Sequence, residues 1–244
     1  MLKIWNTPAI KCPILFEELL SKSHVLIAGQ TNSGKSVTLN GIIYTALQHS
    51  PAKVEFILID PKRVELKDYA RLPHTLAHAA GHNPDAWKKA LQKACDIMDT
   101  RYNSMDGKMY EGPDLYVVID EFADIKISGG KECFNAVLRL LSEGRAARVH
   151  CLIATQTPKA EILPTVLRAN IPYRIALRTN TANESRLIMD HAGCEDLPEH
   201  GQGYYYKPGK DAIELYNLPY IQEDKLNWIV DYWTHTKPKI KLFA

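Results

Sequence analysis

Short apolar runs alternate along the chain with stretches in which apolar residues recur every three or four positions. His24–Ala28, Val54–Asp60, Leu115–Asp120, Val149–Thr155 and Tyr173–Arg178 are five such runs, and each predicts a strand. Between them, Ser36–Gln48 carries Val37, Leu39, Ile42, Ile43 and Leu47 at helical spacing, and Pro84–Met105 carries Ala90, Ala94, Ile97, Met98 and Tyr102 on one face. Lys131–Ser142 predicts a further helix. Strands that are apolar throughout, separated by helices, predict a mostly parallel sheet covered on both faces. The pattern changes near the C-terminus. There Gly203–Tyr206 and Ala212–Tyr216, joined through Pro208-Gly209-Lys210, predict a β-hairpin appendage, and an amphipathic helix is expected over Glu223–Tyr232. We divide the chain into an N-terminal extension packing on the core (1–23), an α/β domain (24–220), and a C-terminal helix and tail (221–244).

The first strand runs into Gly29-Gln30-Thr31-Asn32-Ser33-Gly34-Lys35-Ser36, followed by Val37. This is the G-x-x-x-x-G-K-[ST] pattern in its required place between a strand and a helix. Its glycines let backbone amides curl around phosphates at a helix N-terminus. Lys35 reaches the terminal phosphates of ATP and the Ser36 hydroxyl ligates Mg²⁺. Val117–Glu121 ends the third strand with paired carboxylates. Asp120 is placed to hold the metal and Glu121 to polarise the attacking water. The second carboxylate suggests an extra strand between the two phosphate-site strands, giving the order 5-1-4-3-2. In that order Gln156, after the fourth strand, faces the γ-phosphate as a sensor.

Composition narrows the classes less. With 30 Lys+Arg against 28 Asp+Glu the formal charge is +2, which argues against coating nucleic acid through bulk charge but leaves a local basic stripe open. No apolar run approaches the ~20 residues of a membrane span, and the N-terminus lacks the features of a signal peptide. The five widely spaced cysteines, Cys12, Cys95, Cys133, Cys151 and Cys194, contain no C-x-x-C pair, so neither a disulfide framework nor a zinc site is expected. Cys133 and Cys151 read as small core residues, and a reducing cytoplasm fits best.

The ordered blocks GQTNSGKS, IDPKRVEL (59–66), LPH (72–74), VVIDEFADI (117–125), GRAARVHCLIATQTP (144–158), ANIPYRIALR (169–178) and SRLIMDHAG (185–193) resemble the motor domain of the FtsK/SpoIIIE DNA translocases. The resemblance covers about residues 24–217. It implies a RecA-like P-loop ATPase that assembles into a ring, usually a hexamer, and pumps double-stranded DNA. It also implies an arginine acting in trans on the neighbouring site, with Arg174, Arg178 and Arg186 in matching blocks and Arg145 and Arg148 next. Lys62 and Arg63, Lys126 to Lys131, or Lys159 are expected sources of phosphate contacts. The membrane helices, linker and winged-helix module of septal members have no counterpart. We therefore expect a minimal motor of a mobile element, aided by a membrane-bound or DNA-targeting partner protein. A type VII secretion-like module acting on polypeptide, or an ATP-binding assembly factor, are the alternatives.

Overall fold

The computed structural model of the chain describes residues 14–20, 24–207 and 213–236. Residues 1–13 with Cys12, 21–23, 208–212 and 237–244 lie outside the described residues, and with them most of the expected N-terminal extension, the Pro208-Gly209-Lys210 connection and the tail. Among the described residues eighteen elements follow one another, two of them single 3₁₀ turns (Lys67–Tyr69 and Cys194–Asp196). Helix α1 (Ile14–Leu20) precedes β1 (His24–Ala28) and α2 (Lys35–Ala46), and β2 (Val54–Asp60), β3 (Thr75–Ala80), α3 (Pro84–Ser104) and β4 (Asp114–Ile119) come next. Then follow α4 (Phe122–Ser128), α5 (Gly130–Glu143), β5 (Val149–Thr155), α6 (Thr165–Ala169), β6 (Tyr173–Ala176) and α7 (Ala182–Met189). The chain closes with β7 (Gln202–Tyr206), β8 (Ile213–Asn217) and α8 (Glu223–His235).

All eight strands join one sheet in the order β3-β2-β4-β5-β1-β6-β7-β8. The five strands predicted from sequence (β6, β1, β5, β4 and β2) occupy the expected order 5-1-4-3-2, paired in parallel. Three strands extend it. Thr75–Ala80, which sequence periodicity does not reveal, adds to the β2 edge in parallel. The hairpin β7–β8 adds to the other edge through antiparallel pairing of β7 with β6. The C-terminal hairpin is thus joined to the main sheet as its last two strands. The fifth strand stops at Ala176, two residues short of its predicted end, although Leu177 N–H still donates to Ala28 O and Arg178 O accepts from Gln30 N–H, each at 2.8 Å.

Side chains alternate between two buried cores, as the strand pleat requires. In β1, Leu26 and Ala28 face the core under α3, α5 and α7, while Val25 and Ile27 face the core under α1, α2 and α8. In β4, Leu115, Val117 and Ile119 fill the first core, and Tyr116 and Val118 the second. Both faces are covered, which explains why the strands are apolar at consecutive positions. Each fully buried Leu, Ile or Val removes apolar surface worth about 1.5–3 kcal/mol, and strands and helices both contribute such residues. Phe16 of α1 packs on Gly41 of α2, whose missing Cβ leaves room for the ring. Trp233 of α8 is buried and its Nε1 donates to Leu47 O at 2.8 Å. Both ends of the described chain are therefore anchored on α2. Among the described residues, no helix is long and apolar enough to cross a membrane.

Candidate nucleotide site

The site lies where β1, β2, β4 and β5 end, because a parallel sheet brings the loops that follow adjacent strands to one edge. The glycine-rich loop leaves β1 held by Gly29 N–H to Thr155 O at 3.4 Å and Gln30 N–H to Arg178 O at 2.8 Å. A Cβ at Gly29 would stand 2.6 Å from Leu177 Cβ, so only glycine fits there. Gly34 has φ +92°, a left-handed conformation suited to glycine, and Asn32 is also left-handed at φ 63°. Helix α2 then begins with no side-chain cap on its first amides. The Ser33 hydroxyl is buried without a partner among the described residues. Uncapped amides at a helix N-terminus and an orphaned buried hydroxyl fit an anion held in the loop.

Lys35 and Asp120 meet below this loop. Lys35 Nζ donates to Asp120 Oδ1 at 2.5 Å and to Asp120 O at 3.0 Å, with both side chains buried. Burial pushes the Asp120 carboxyl above the usual carboxylate range, opposed by the adjacent Lys35 ammonium. The Ser36 hydroxyl donates to Glu65 Oε1 at 2.6 Å. Glu65 sits in the loop after β2, whose backbone is pinned where Asp60 accepts Lys62 N–H at 3.2 Å and Leu66 N–H at 3.0 Å. Among the described residues no three carboxylate, histidine or cysteine side chains form a ready metal cluster, but the Ser36 hydroxyl and the Asp120 carboxylate are hard oxygen donors of the kind a Mg²⁺ ion prefers.

Glu121 follows Asp120 and caps α4, accepting Ala123 N–H at 3.4 Å. Its carboxylate also takes the Thr155 hydroxyl at 2.7 Å, Gln156 N–H at 3.2 Å and Lys62 Nζ at 3.2 Å. The Gln156 side chain in turn accepts from the Thr31 hydroxyl of the loop at 3.1 Å. Loop, paired carboxylates and the residue after β5 thus form one hydrogen-bonded unit. Thr155, Glu65 and Asp60 belong to it, yet sequence reasoning did not single them out. The strand order supplied the signal for Thr155, since β5 lies between β1 and β4.

The arginines fall in different places. Arg174 corrects the expectation that it could act on a neighbour. Its side chain is buried and donates to Ile171 O at 3.0 Å, Ile188 O at 2.8 Å and Arg168 O at 3.1 Å, and it stands 4.9 Å from the centre of the Tyr206 ring. Every donor group is used inside its own chain, tying α6 and α7 to β6. Arg186 is exposed on α7, with one hydrogen bond of 3.3 Å to Asn183 Oδ1. Arg178 is half-buried, 4.0 Å from Glu199. Arg145 and Arg148 precede β5 and lie at the opposite edge of the sheet, Arg148 paired with Asp114. Among the lysines proposed for phosphate contacts, Lys126 packs over the Phe134 ring at 3.5 Å, and Lys159 is exposed.

A parallel sheet in this order, with a glycine-rich loop after β1 and paired carboxylates after β4, defines a RecA-like P-loop ATPase fold. Solved structures agree. The cytoplasmic domain of the Thermomonospora curvata type VII secretion ATPase EccC superposes with TM-score 0.74 at 25% identity, over 88% of this chain and 28% of that one. The pCW3 conjugation coupling protein TcpA, solved with ATPγS, superposes with TM-score 0.71 at 23% identity, over 88% of this chain and 66% of that one. Residues 8–111 match the FtsK/SpoIIIE family model. DNA translocase FtsK of Streptococcus agalactiae is 37% identical over 86% of this chain, and that of Lactococcus lactis subsp. cremoris 36% over 78%. The chain belongs to the FtsK/SpoIIIE family. It spans 28% of the length of each of these two relatives.

Proposed function

We propose that this chain hydrolyses ATP and couples hydrolysis to movement along double-stranded DNA, as one subunit of a ring. The observation that carries this reading is the convergence of Lys35, Asp120, Glu121 and Gln156 at the ends of adjacent strands. The family relatives named DNA translocase supply the substrate. Residues 24–220 form the motor, flanked by 1–23 and 221–244, of which the described helices Ile14–Leu20 and Glu223–His235 pack on it. The buried, unbridged cysteines among the described residues suit a reducing cytoplasm.

In this reading the amides of residues 30–37 hold the phosphates. Lys35 exchanges Asp120 for the β and γ phosphates, and that exchange releases the Asp120 carboxylate. Ser36 and Asp120 would hold Mg²⁺, once the Ser36 hydroxyl is released from its bond to Glu65. The metal would supply charge neutralisation on the leaving and transferring oxygens. Glu121, held by Thr155 and Gln156, takes a proton from the attacking water. Gln156 joins this base to Thr31 and so reports the state of the phosphate loop. Arg186, exposed and lightly held, is the arginine best suited to reach a neighbouring subunit, where such a group is worth about 10³–10⁵ in rate. A hexameric ring and the exposed cations near the loop after β2 complete the motor.

The test is the ATPase rate with and without linear double-stranded DNA. Stimulation by DNA that disappears in Glu121→Gln, with nucleotide binding retained, is the expected result. A rate that rises with polypeptide and ignores DNA at low salt would transfer the reading to the secretion-type ATPases that EccC represents.

A further inference from the structure

Glu121 cannot act as a base in the arrangement seen here, because its lone pairs are occupied. A carboxylate offers about four lone-pair sites. Oε1 accepts from the Thr155 hydroxyl at 2.7 Å, Gln156 N–H at 3.2 Å and Ala123 N–H at 3.4 Å. Oε2 accepts from Gln156 N–H and from Lys62 Nζ, each at 3.2 Å. Three of the four donors are fixed by strand β5 or helix α4. Only Lys62 is a mobile side chain, and it covers the less crowded oxygen.

The position of Lys62 is unusual for such a partner. Its backbone is pinned by the Asp60 carboxylate, in a turn that follows β2. From there its side chain reaches across to the buried Glu121, yet 42% of it remains open to solvent, against 3% for Glu121. Arg63, the next residue, is exposed and left-handed at φ 59°, and its guanidinium lies over Gly81, so a second cation sits beside Lys62 at this turn. One end of the ion pair thus belongs to the catalytic unit, and the other is presented to whatever anion approaches the surface. The lysine is half-exposed, and Glu121 keeps its Thr155, Gln156 and Ala123 donors when Lys62 turns to another anion. A row of backbone phosphates competes directly for it.

We propose that Lys62 is a latch on Glu121, which holds hydrolysis low until DNA phosphates draw its ammonium away and free Oε2 for water. Lys62 is a positioning residue in this scheme: it acts through Glu121 and touches no reacting atom. The proposal rests on the DNA-motor reading for its trigger, and the latch itself stands on the geometry of Lys62 and Glu121.

The experiment measures ATPase rates of the full chain, Lys62→Ala and Lys62→Arg, with and without linear double-stranded DNA at saturating ATP. Lys62→Ala is expected to raise the DNA-free kcat about two- to fivefold, the range of a partly exposed ion pair. KM for ATP should stay unchanged, and the stimulation ratio should shrink by a similar factor. Lys62→Arg, which keeps the charge, should restore the low basal rate. Raising salt should increase the DNA-free rate of the unmodified chain and leave that of Lys62→Ala flat. An unchanged or lower basal rate in Lys62→Ala overturns the latch. A raised basal rate with the full stimulation ratio retained overturns DNA as its trigger. An unmodified chain that ignores DNA while Lys62→Ala is faster leaves the latch standing and removes the DNA-motor reading.

Discussion

Replacing Lys35 with Met should destabilise the nucleotide-free protein in a pH-dependent way, independently of any effect on hydrolysis. Met keeps most of the apolar stem and removes the ammonium that sits 2.5 Å from Asp120 Oδ1. Removing one partner from a buried ion pair costs about 3–5 kcal/mol, because the other charge stays buried and unpaired. Asp120 can escape by taking a proton. Its folded pKa is already raised by burial, and loss of Lys35 removes the main opposing influence. A carboxyl with a raised folded pKa favours the folded state at low pH, below the unfolded value of about 3.9. That contribution is lost as pH rises from there toward the folded pKa, at about 1.4 kcal/mol per unit. The deficit of Lys35→Met relative to the unmodified chain should therefore be small near pH 5 and several-fold larger near pH 7.5. Urea unfolding at the two pH values measures it. Adding Asp120→Asn to Lys35→Met should recover most of the loss and remove its pH dependence. A deficit below about 1 kcal/mol, equal at both pH values, would mean that the two groups are not paired in the free protein.

Three other changes probe separate parts of the structure. Thr155→Val removes the shortest hydrogen bond to Glu121 while conserving volume, so kcat should fall severalfold with KM for ATP nearly unchanged, as steady-state kinetics will show. Arg174→Ala should lower stability by about 2 kcal/mol or more, since two buried carbonyls and one part-buried carbonyl lose their donor. Arg186→Ala should leave melting unchanged and slow hydrolysis, and mixing it with Lys35→Met subunits should restore part of the rate if the arginine acts in trans. Burial holds His24 near a pKa of about 3, with neighbouring His150 adding to the effect, and holds His74 near about 4. The unfolded chain binds these protons more readily, so stability should decline as pH falls below about 6.5. Melting temperatures between pH 7 and pH 5 check this, and His74→Gln should make the decline shallower.

Much of this arrangement was legible from sequence because apolar periodicity and motif spacing report the same geometry. Consecutive apolar residues in Val54–Asp60 or Val149–Thr155 have one physical explanation, a strand covered on both faces. The glycine pattern before Lys35 places the loop, and the paired carboxylates fix the strand order. What escaped were elements whose side chains carry little signal. Strand Thr75–Ala80 reads TLAHAA and is only half-buried at the sheet edge, so small residues suffice there. Helix Phe122–Ser128 begins directly on Glu121, so one residue serves as carboxylate and cap, and the helix is hidden by the motif. Arg174 carries the same message in reverse. A family block marks it, but its burial and three carbonyl partners are long-range facts that no local pattern encodes. The partners of Glu121 and Ser36 were invisible for the same reason, since Lys62, Glu65 and Thr155 reach the site from other strands.

Displacement of a triplex-forming third strand from linear double-stranded DNA tests movement itself, because only a protein travelling along the duplex strips the third strand. The unmodified chain should release it in proportion to ATP consumed, and Glu121→Gln should bind ATP and release none. DNA-stimulated hydrolysis with no displacement, or displacement that proceeds without hydrolysis, would contradict a motor built on Lys35, Asp120 and Glu121.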